Sequence, residues 1–143
     1  MNRDDLYTMR KNIWEREQLR EMIAELENAR ISPRAAVYGG DRVQSTPKGD
    51  IQPENIQRID DLLQRYNAKL RESLEAVAEF ERIAECLNGQ EREVLRLYFV
   101  LGRTWEEVCV EKHISWGRVM KIRRGALDVL FGEGGGGNNH GEQ

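Results

Sequence analysis

Between Lys112 and Arg124 the chain carries five basic side chains (Lys112, Arg118, Lys121, Arg123 and Arg124) and no acidic one. Ammonium and guanidinium groups at that density do the chemistry of polyanion binding. They neutralise phosphates, and the planar fork of an arginine can also engage O6 and N7 of a guanine together. At 100° per residue, Gly117, Lys121 and Arg124 share one side of a helix, flanked by Arg118 and Arg123. Val119, Ile122, Ala126, Val129 and Leu130 gather on the other side. A groove-reading helix needs this division: an apolar back to hold it and a basic front for phosphates and base edges. The candidate DNA-binding residues are therefore Ser115, Trp116, Gly117, Arg118, Met120, Lys121, Arg123 and Arg124. Two roles stay open for Arg118, a guanine edge or a phosphate. The charge run alone also fits an ordinary solvated helix face.

The elements that would position this helix are marked locally. Val94, Leu95, Tyr98 and Leu101 recur at helical spacing over 90–101, and Gly102 suits a left-handed helix end. Thr104-Trp105-Glu106-Glu107 is a capping box that opens a short helix over 104–111, with Trp105 and Val108 turned inward. Lys112-His113-Ile114 makes a turn, and Ser115 caps the last helix, 115–131. A two-turn helix, a tight turn and a serine-capped longer helix make a helix-turn-helix over 88–131.

Upstream, residues 1–30 read as one helix, with Leu6, Met9 and Ile13 on one stripe and Leu19, Met22, Ile23 and Leu26 on another. Periodicity stops over 31–52, where Ser32-Pro33, Gly39-Gly40 and Thr46-Pro47 are turn signals. From Pro53 to Leu87 a heptad seam runs through Ile56, Ile59, Leu63, Tyr66, Leu70, Ser73, Val77, Phe80, Ala84 and Leu87. A helix of that length spans about 50 Å and must bury its seam. Its partner is either helix 1–30 or a second copy of the chain. Residues 132–143 are glycine-rich, lack a large apolar side chain and read as a disordered tail. The expected fold class is all-α, a long coiled-coil-like arm followed by a helix-turn-helix.

Composition narrows the classes of function. Net charge is −3, but residues 1–87 carry 14 basic and 17 acidic side chains while 88–131 carry 8 and 6. The local reversal is the kind of footprint that phosphate binding leaves. No apolar run approaches 18 residues and the N-terminus lacks an apolar signal segment, so a cytoplasmic location is expected. Cys86 and Cys109 stand far apart, and His113 and His140 are the chain's two histidines, so neither a disulfide nor a metal site is expected. With no nucleophile–base set and no phosphate-binding glycine loop, neither an enzyme nor a cofactor is expected.

The stretch Leu87-Asn-Gly-Gln-Glu-Arg-Glu-Val-Leu-Arg-Leu-Tyr98, followed by Thr104-Trp-Glu-Glu-Val108 and Ser115-Trp-Gly-Arg-Val-Met-Lys-Ile-Arg-Arg-Gly-Ala-Leu127, resembles the fourth conserved region of bacterial primary sigma factors. The resemblance covers about a third of the chain. It implies a helix-turn-helix that reads double-stranded promoter DNA and touches RNA polymerase. Trp116, Gly117, Met120 and Lys121 stand where sigma factors usually carry polar or charged readers, so the usual promoter preference should not carry over. Trp116 and Met120 instead face thymine methyls or a protein partner. His113 stands where glycine is usual, and Lys112 replaces an apolar residue.

The whole layout, with Tyr38-Gly-Gly-Asp-Arg-Val-Gln44 in the loop, resembles small phage proteins of Gram-positive bacteria, including activators of the RinA and ArpU type. That resemblance implies a transcription regulator of phage or prophage genes working with host RNA polymerase. Two other functions remain open. One is a DNA-packaging protein similar to a small terminase subunit; the other is a polymerase-binding protein that does not touch DNA.

Overall fold

Caps and breakers divide the chain as its local chemistry demands. A computed structural model describes residues 1–28 and 53–142, with side chains through Gly132, and these residues are helical with no strand among them. The expected loop over 31–52 lies outside the described residues. Helix α1 spans Arg3–Asn28 and α2 spans Pro53–Ile83, with a 3-10 turn at Ala84–Cys86. Helix α3 covers Gly89–Leu95 and runs on into a π-helical turn, Arg96–Val100. Helices α4 (Trp105–Lys112) and α5 (Trp116–Glu142) complete the chain. The all-α reading holds. Among the described residues no helix is long and apolar enough to cross a membrane.

Local hydrogen bonds explain the boundaries. Asn2 and Asp5 cap α1 reciprocally, at 2.9 and 2.8 Å. Asn88 and Glu91 do the same for α3, at 2.8 and 3.2 Å, and Thr104 and Glu107 for α4, at 3.1 and 3.0 Å. Gly102 sits at φ 77° and lets the Arg103 N–H reach the Leu97 carbonyl at 3.0 Å, closing the π turn. Arg92 reaches back to the carbonyls of Ala84 and Leu87, at 3.3 and 3.2 Å, and ties α3 to the end of α2; the Ala84 carbonyl also accepts the Leu87 N–H at 3.0 Å.

The described chain divides into two compact units. The first joins Met1–Trp14 to Glu72–Gln143. Its larger core brings Leu6, Met9 and Ile13 from α1 against Phe80, Ala84 and Leu87, with Leu95 and Phe99 from α3 and Ala126 and Leu127 from α5. A second cluster, Val94, Leu97, Val108 and Val119, holds the three helices of the helix-turn-helix to one another. The π turn lets adjacent residues serve both clusters: Leu97 enters the second and Phe99 the first. The sequence places a domain boundary between Leu87 and Asn88; in the structure the start of α1 and the end of α2 belong with the helix-turn-helix instead.

The second unit, Glu15–Arg71, pairs the rest of α1 with the start of α2. Lys69 and Glu15 form an ion pair at 2.8 Å between the two helices. Here the expected seam needs a correction. Leu63 is 39% exposed and Ile56 is 53% exposed, while Leu62 is only 8% exposed. The buried stripe keeps the heptad positions Ser73, Phe80, Ala84 and Leu87 and departs from the heptad reading near the start of α2, where Leu62 is buried in place of Leu63. Leu62→Asp should destabilise the protein by about 3 kcal/mol, because it buries an unpaired carboxylate. Leu63→Asp should cost about 1 kcal/mol or less, because its carboxylate stays in water. Urea titrations of the two variants check this, and equal losses would restore the original seam.

At the far end, α5 breaks at Phe131 (φ −131°, ψ 19°), where the sequence ends its folded domain. The backbone then continues helically to Glu142 through a stretch expected to lack structure. Each glycine there opposes helix by about 1 kcal/mol relative to alanine.

Arg96 ties α3 to α2 through a forked pair with Glu81, at 2.7 and 2.8 Å. Those hydrogen bonds, with a smaller contribution from the charges of Arg96 and Arg92, hold the Glu81 carboxyl below its ordinary value of 4.5 against the opposing effect of burial. A depressed folded-state value stabilises the fold above the unfolded value, and that contribution is lost as pH falls through the folded one. Stability should therefore drop below about pH 4.5, and Glu81→Gln should flatten that acid limb while costing stability at pH 7. Melting temperature against pH for both proteins is the check; parallel acid limbs would remove Glu81 from the account.

Candidate nucleic-acid interface

Ser115 opens α5 as expected, its Oγ accepting the Arg118 backbone N–H at 3.2 Å. Two residues earlier, His113 ends α4 in the left-handed region, at φ 61° and ψ 44°. The turn thus asks of histidine a conformation that glycine takes more cheaply. Lys112, in the last turn of α4, is half-buried and ion-paired with Glu93 of α3. Its hydrogen bond and charge lower the Glu93 carboxyl from its ordinary value. Its charge belongs to the fold and is largely spent there.

From this start α5 turns two faces. Val119 and Ala126 are fully buried, and Ile122 packs partly against the helix-turn-helix cluster. Ser115, Trp116, Gly117, Arg118, Lys121 and Arg124 are exposed. Arg118 makes one long hydrogen bond, 3.4 Å, to Gln90 at the start of α3. Nothing in the sequence marks Gln90, whose place beside the arc follows only from how α3 crosses α5. Asp128, one turn beyond Arg124, is paired with Arg3 of α1 at 3.3 Å. The exposed arc therefore presents Arg118, Lys121 and Arg124 with no carboxylate among them.

Two expected members do not join that arc. Met120 is half-buried and packs against the cluster of Val94, Leu97, Val108 and Val119. Arg123 is half-buried as well, with its guanidinium 5.5 Å from the centre of the Trp105 ring and donating to the Tyr7 hydroxyl at 3.1 Å. Trp105 stacks flat on Tyr98 at 3.9 Å and 8°. On the other face of Tyr98 lies Arg10, 3.8 Å from the ring centre, and its guanidinium also donates to the Tyr98 carbonyl at 2.6 Å. Arg10, Tyr98, Trp105 and Arg123 form a ladder of cation–π and ring stacking that joins α1, the π turn, α4 and α5. Arg123 is turned inward because α1 covers that flank, and single-helix periodicity carries no trace of a helix more than 100 residues away in the chain.

An apolar-backed helix with a basic, exposed front, set at a fixed angle by a two-turn helix, is a groove-reading arrangement. Residues 83–131 match the family model of sigma-70 region 4. No curated protein and no solved structure matches the chain. The family match begins at Ile83, in the last turn of α2, and ends at Phe131, where α5 breaks. Sigma-70 region 4 is a DNA-binding helix-turn-helix family, and the matched residues supply the caps of α3 and α4 and the inner cluster of Val94, Leu97, Val108 and Val119. The contacts from Leu6, Tyr7, Met9 and Arg10 come from outside the match. Among the described residues, no group of three or more His, Cys, Asp or Glu could hold a metal ion.

Proposed function

We propose that this protein is a sequence-specific DNA-binding transcription regulator of phage or prophage genes, an activator that works with host RNA polymerase. The observation that carries the reading is the solvent-facing arc of Arg118, Lys121 and Arg124 on the third helix of a sigma-70 region 4 module, with Asp128, one turn beyond, paired to Arg3. Arginine and lysine on that arc position the helix on phosphates, and the first turn of α5 meets the base edges. The phage setting rests on the resemblance of the whole layout to small phage activators. Self-association is part of the reading: Ile56 and Leu63, one heptad apart on α2, stay largely exposed in their unit and offer a second copy an apolar edge.

A second reading, binding to polymerase without DNA, draws on a different face. Val110 is 73% exposed on α4 and is set among Glu106, Glu107 and Glu111 around a shallow depression. Arg103 lines the same depression and pairs with Glu111 at 3.2 Å, so Glu106 and Glu107 are the carboxylates there that would repel a duplex and suit a protein. The test takes the full chain through selection from a random duplex pool, footprinting on the enriched site and co-purification with host RNA polymerase. Enrichment of one sequence with a protected footprint supports the regulator. Capture of polymerase with no enriched duplex would replace it with the second reading.

A further inference from the structure

We propose that Trp116 sets sequence preference by reading the C5-methyl group of a pyrimidine in the major groove, with Gly117 beside it letting the helix backbone come close. The inference rests on the DNA-binding reading above and names what its recognition helix looks for. Thymine carries this methyl in every duplex, and 5-methylcytosine carries it in a modified one.

Position comes first. Trp116 is the first residue of α5, directly after the Ser115 cap, in the turn that a recognition helix presents to base edges. Its side chain is 49% exposed. Trp105, by contrast, is stacked on Tyr98 and packed against the inner cluster. Among the described residues, no ring or guanidinium stacks on Trp116. Met120, the other apolar candidate, is occupied with the inner core. Trp116 is thus the one large apolar side chain on the exposed part of the first two turns of α5.

The chemistry of an indole then limits what it can recognise. Its ring nitrogen donates and nothing on it accepts, so it cannot read the amino groups of adenine or cytosine. Its broad apolar face fits the one apolar group that bases display in the major groove, the pyrimidine C5-methyl. Gly117 supplies the second, independent observation. A Cβ built there meets nothing within 4 Å, so the fold does not require glycine at this position. Glycine in a helix costs up to about 1 kcal/mol relative to alanine. A surface outside the chain gives that cost a reason, because a missing Cβ lets backbone and ligand approach closely. Lys121 and Arg124 hold phosphates and supply affinity, which leaves the indole to supply discrimination.

The experiment starts from the duplex enriched by the full chain from an unmodified pool. Binding of the parent, Trp116→Ala and Gly117→Ala is measured on that duplex. It is measured again on versions with each thymine replaced in turn by deoxyuridine, which removes only the methyl, and on versions with 5-methylcytosine at each cytosine. The parent should lose about fourfold at one thymine, the worth of one buried methyl. Trp116→Ala should bind the unmodified duplex more weakly and be indifferent to that replacement. Gly117→Ala should melt at or above the parent temperature yet bind every duplex more weakly. A methyl dependence that appears only with 5-methylcytosine and vanishes in Trp116→Ala would keep the chemistry and assign the modified base. Equal methyl dependence in parent and Trp116→Ala in both arms would overturn the inference while leaving DNA binding intact. An enriched duplex that never appears would sink the underlying reading instead.

Discussion

Phe80→Ala should destabilise the protein by about 3–5 kcal/mol, and the helix-turn-helix should lose stability in the same transition. Phe80 lies on α2, outside the residues that match sigma-70 region 4, yet it is fully buried. Around it in one core stand Leu6 and Met9 from α1, Leu95 and Phe99 from α3, and Ala126 and Leu127 from α5. Removing the ring leaves a cavity bordered by four helices, and the neighbours cannot all collapse into it without breaking caps and ion pairs elsewhere. The total stability of a domain this size is roughly 5–15 kcal/mol, so one ring carries a large share of it. Trp105 is the natural reporter because it stacks on Tyr98 inside the module. In a background where Trp14 and Trp116, both exposed, are replaced by phenylalanine, its fluorescence follows the helix-turn-helix alone. Coincident urea transitions by fluorescence and circular dichroism, both shifted by Phe80→Ala, are the expected outcome. A Trp105 transition that stays at the parent midpoint would make the sigma-like module an independent domain.

That coupling marks the line between what the sequence makes legible and what it hides. Features set by residues within a few positions of one another could be read directly. Thr104 and Glu107 cap each other, Gly102 takes φ 77°, and His113 takes the left-handed conformation where the turn needs it. Asn88 and Glu91 form an equally local capping box. Features set by distant packing could not be read. The Leu62-Leu63 pair offers two adjacent apolar choices, and a 3.5-residue seam drifts against a 3.6-residue helix by about 20° per heptad. Which leucine is buried depends on where α1 lies. Arg123 is the same problem at the interface. Its spacing puts it beside the basic front, but Tyr7 and Trp105 draw it inward. Met120 follows for the same reason, since α3 and α4 build the cluster that receives it.

Arg118, Lys121 and Arg124, changed together to alanine, should leave the fold intact and remove most of the DNA affinity. All three side chains are exposed, and the one hydrogen bond given up from their guanidinium and ammonium groups is the 3.4 Å contact from Arg118 to Gln90. The melting temperature should therefore stay near the parent's. Each cation that neutralises one phosphate contributes about 0.9 to the slope of log K against log salt, so three such contacts would remove about 2.7 from it. If Arg118 instead reads a guanine, the slope should fall by about 1.8, with a further loss of about 1–3 kcal/mol confined to the selected duplex. The two cases separate on a scrambled duplex, where only phosphate contacts count. Arg123→Ala is the matched control. Because its guanidinium packs over Trp105 and bonds Tyr7, its loss should lower the melting temperature and leave the salt slope nearly unchanged. A folded triple variant with the parent's affinity and slope would show that DNA, if bound at all, meets another surface. A control that flattens the slope as much as Lys121→Ala would return Arg123 to the interface, and α1 would then have to release it on binding.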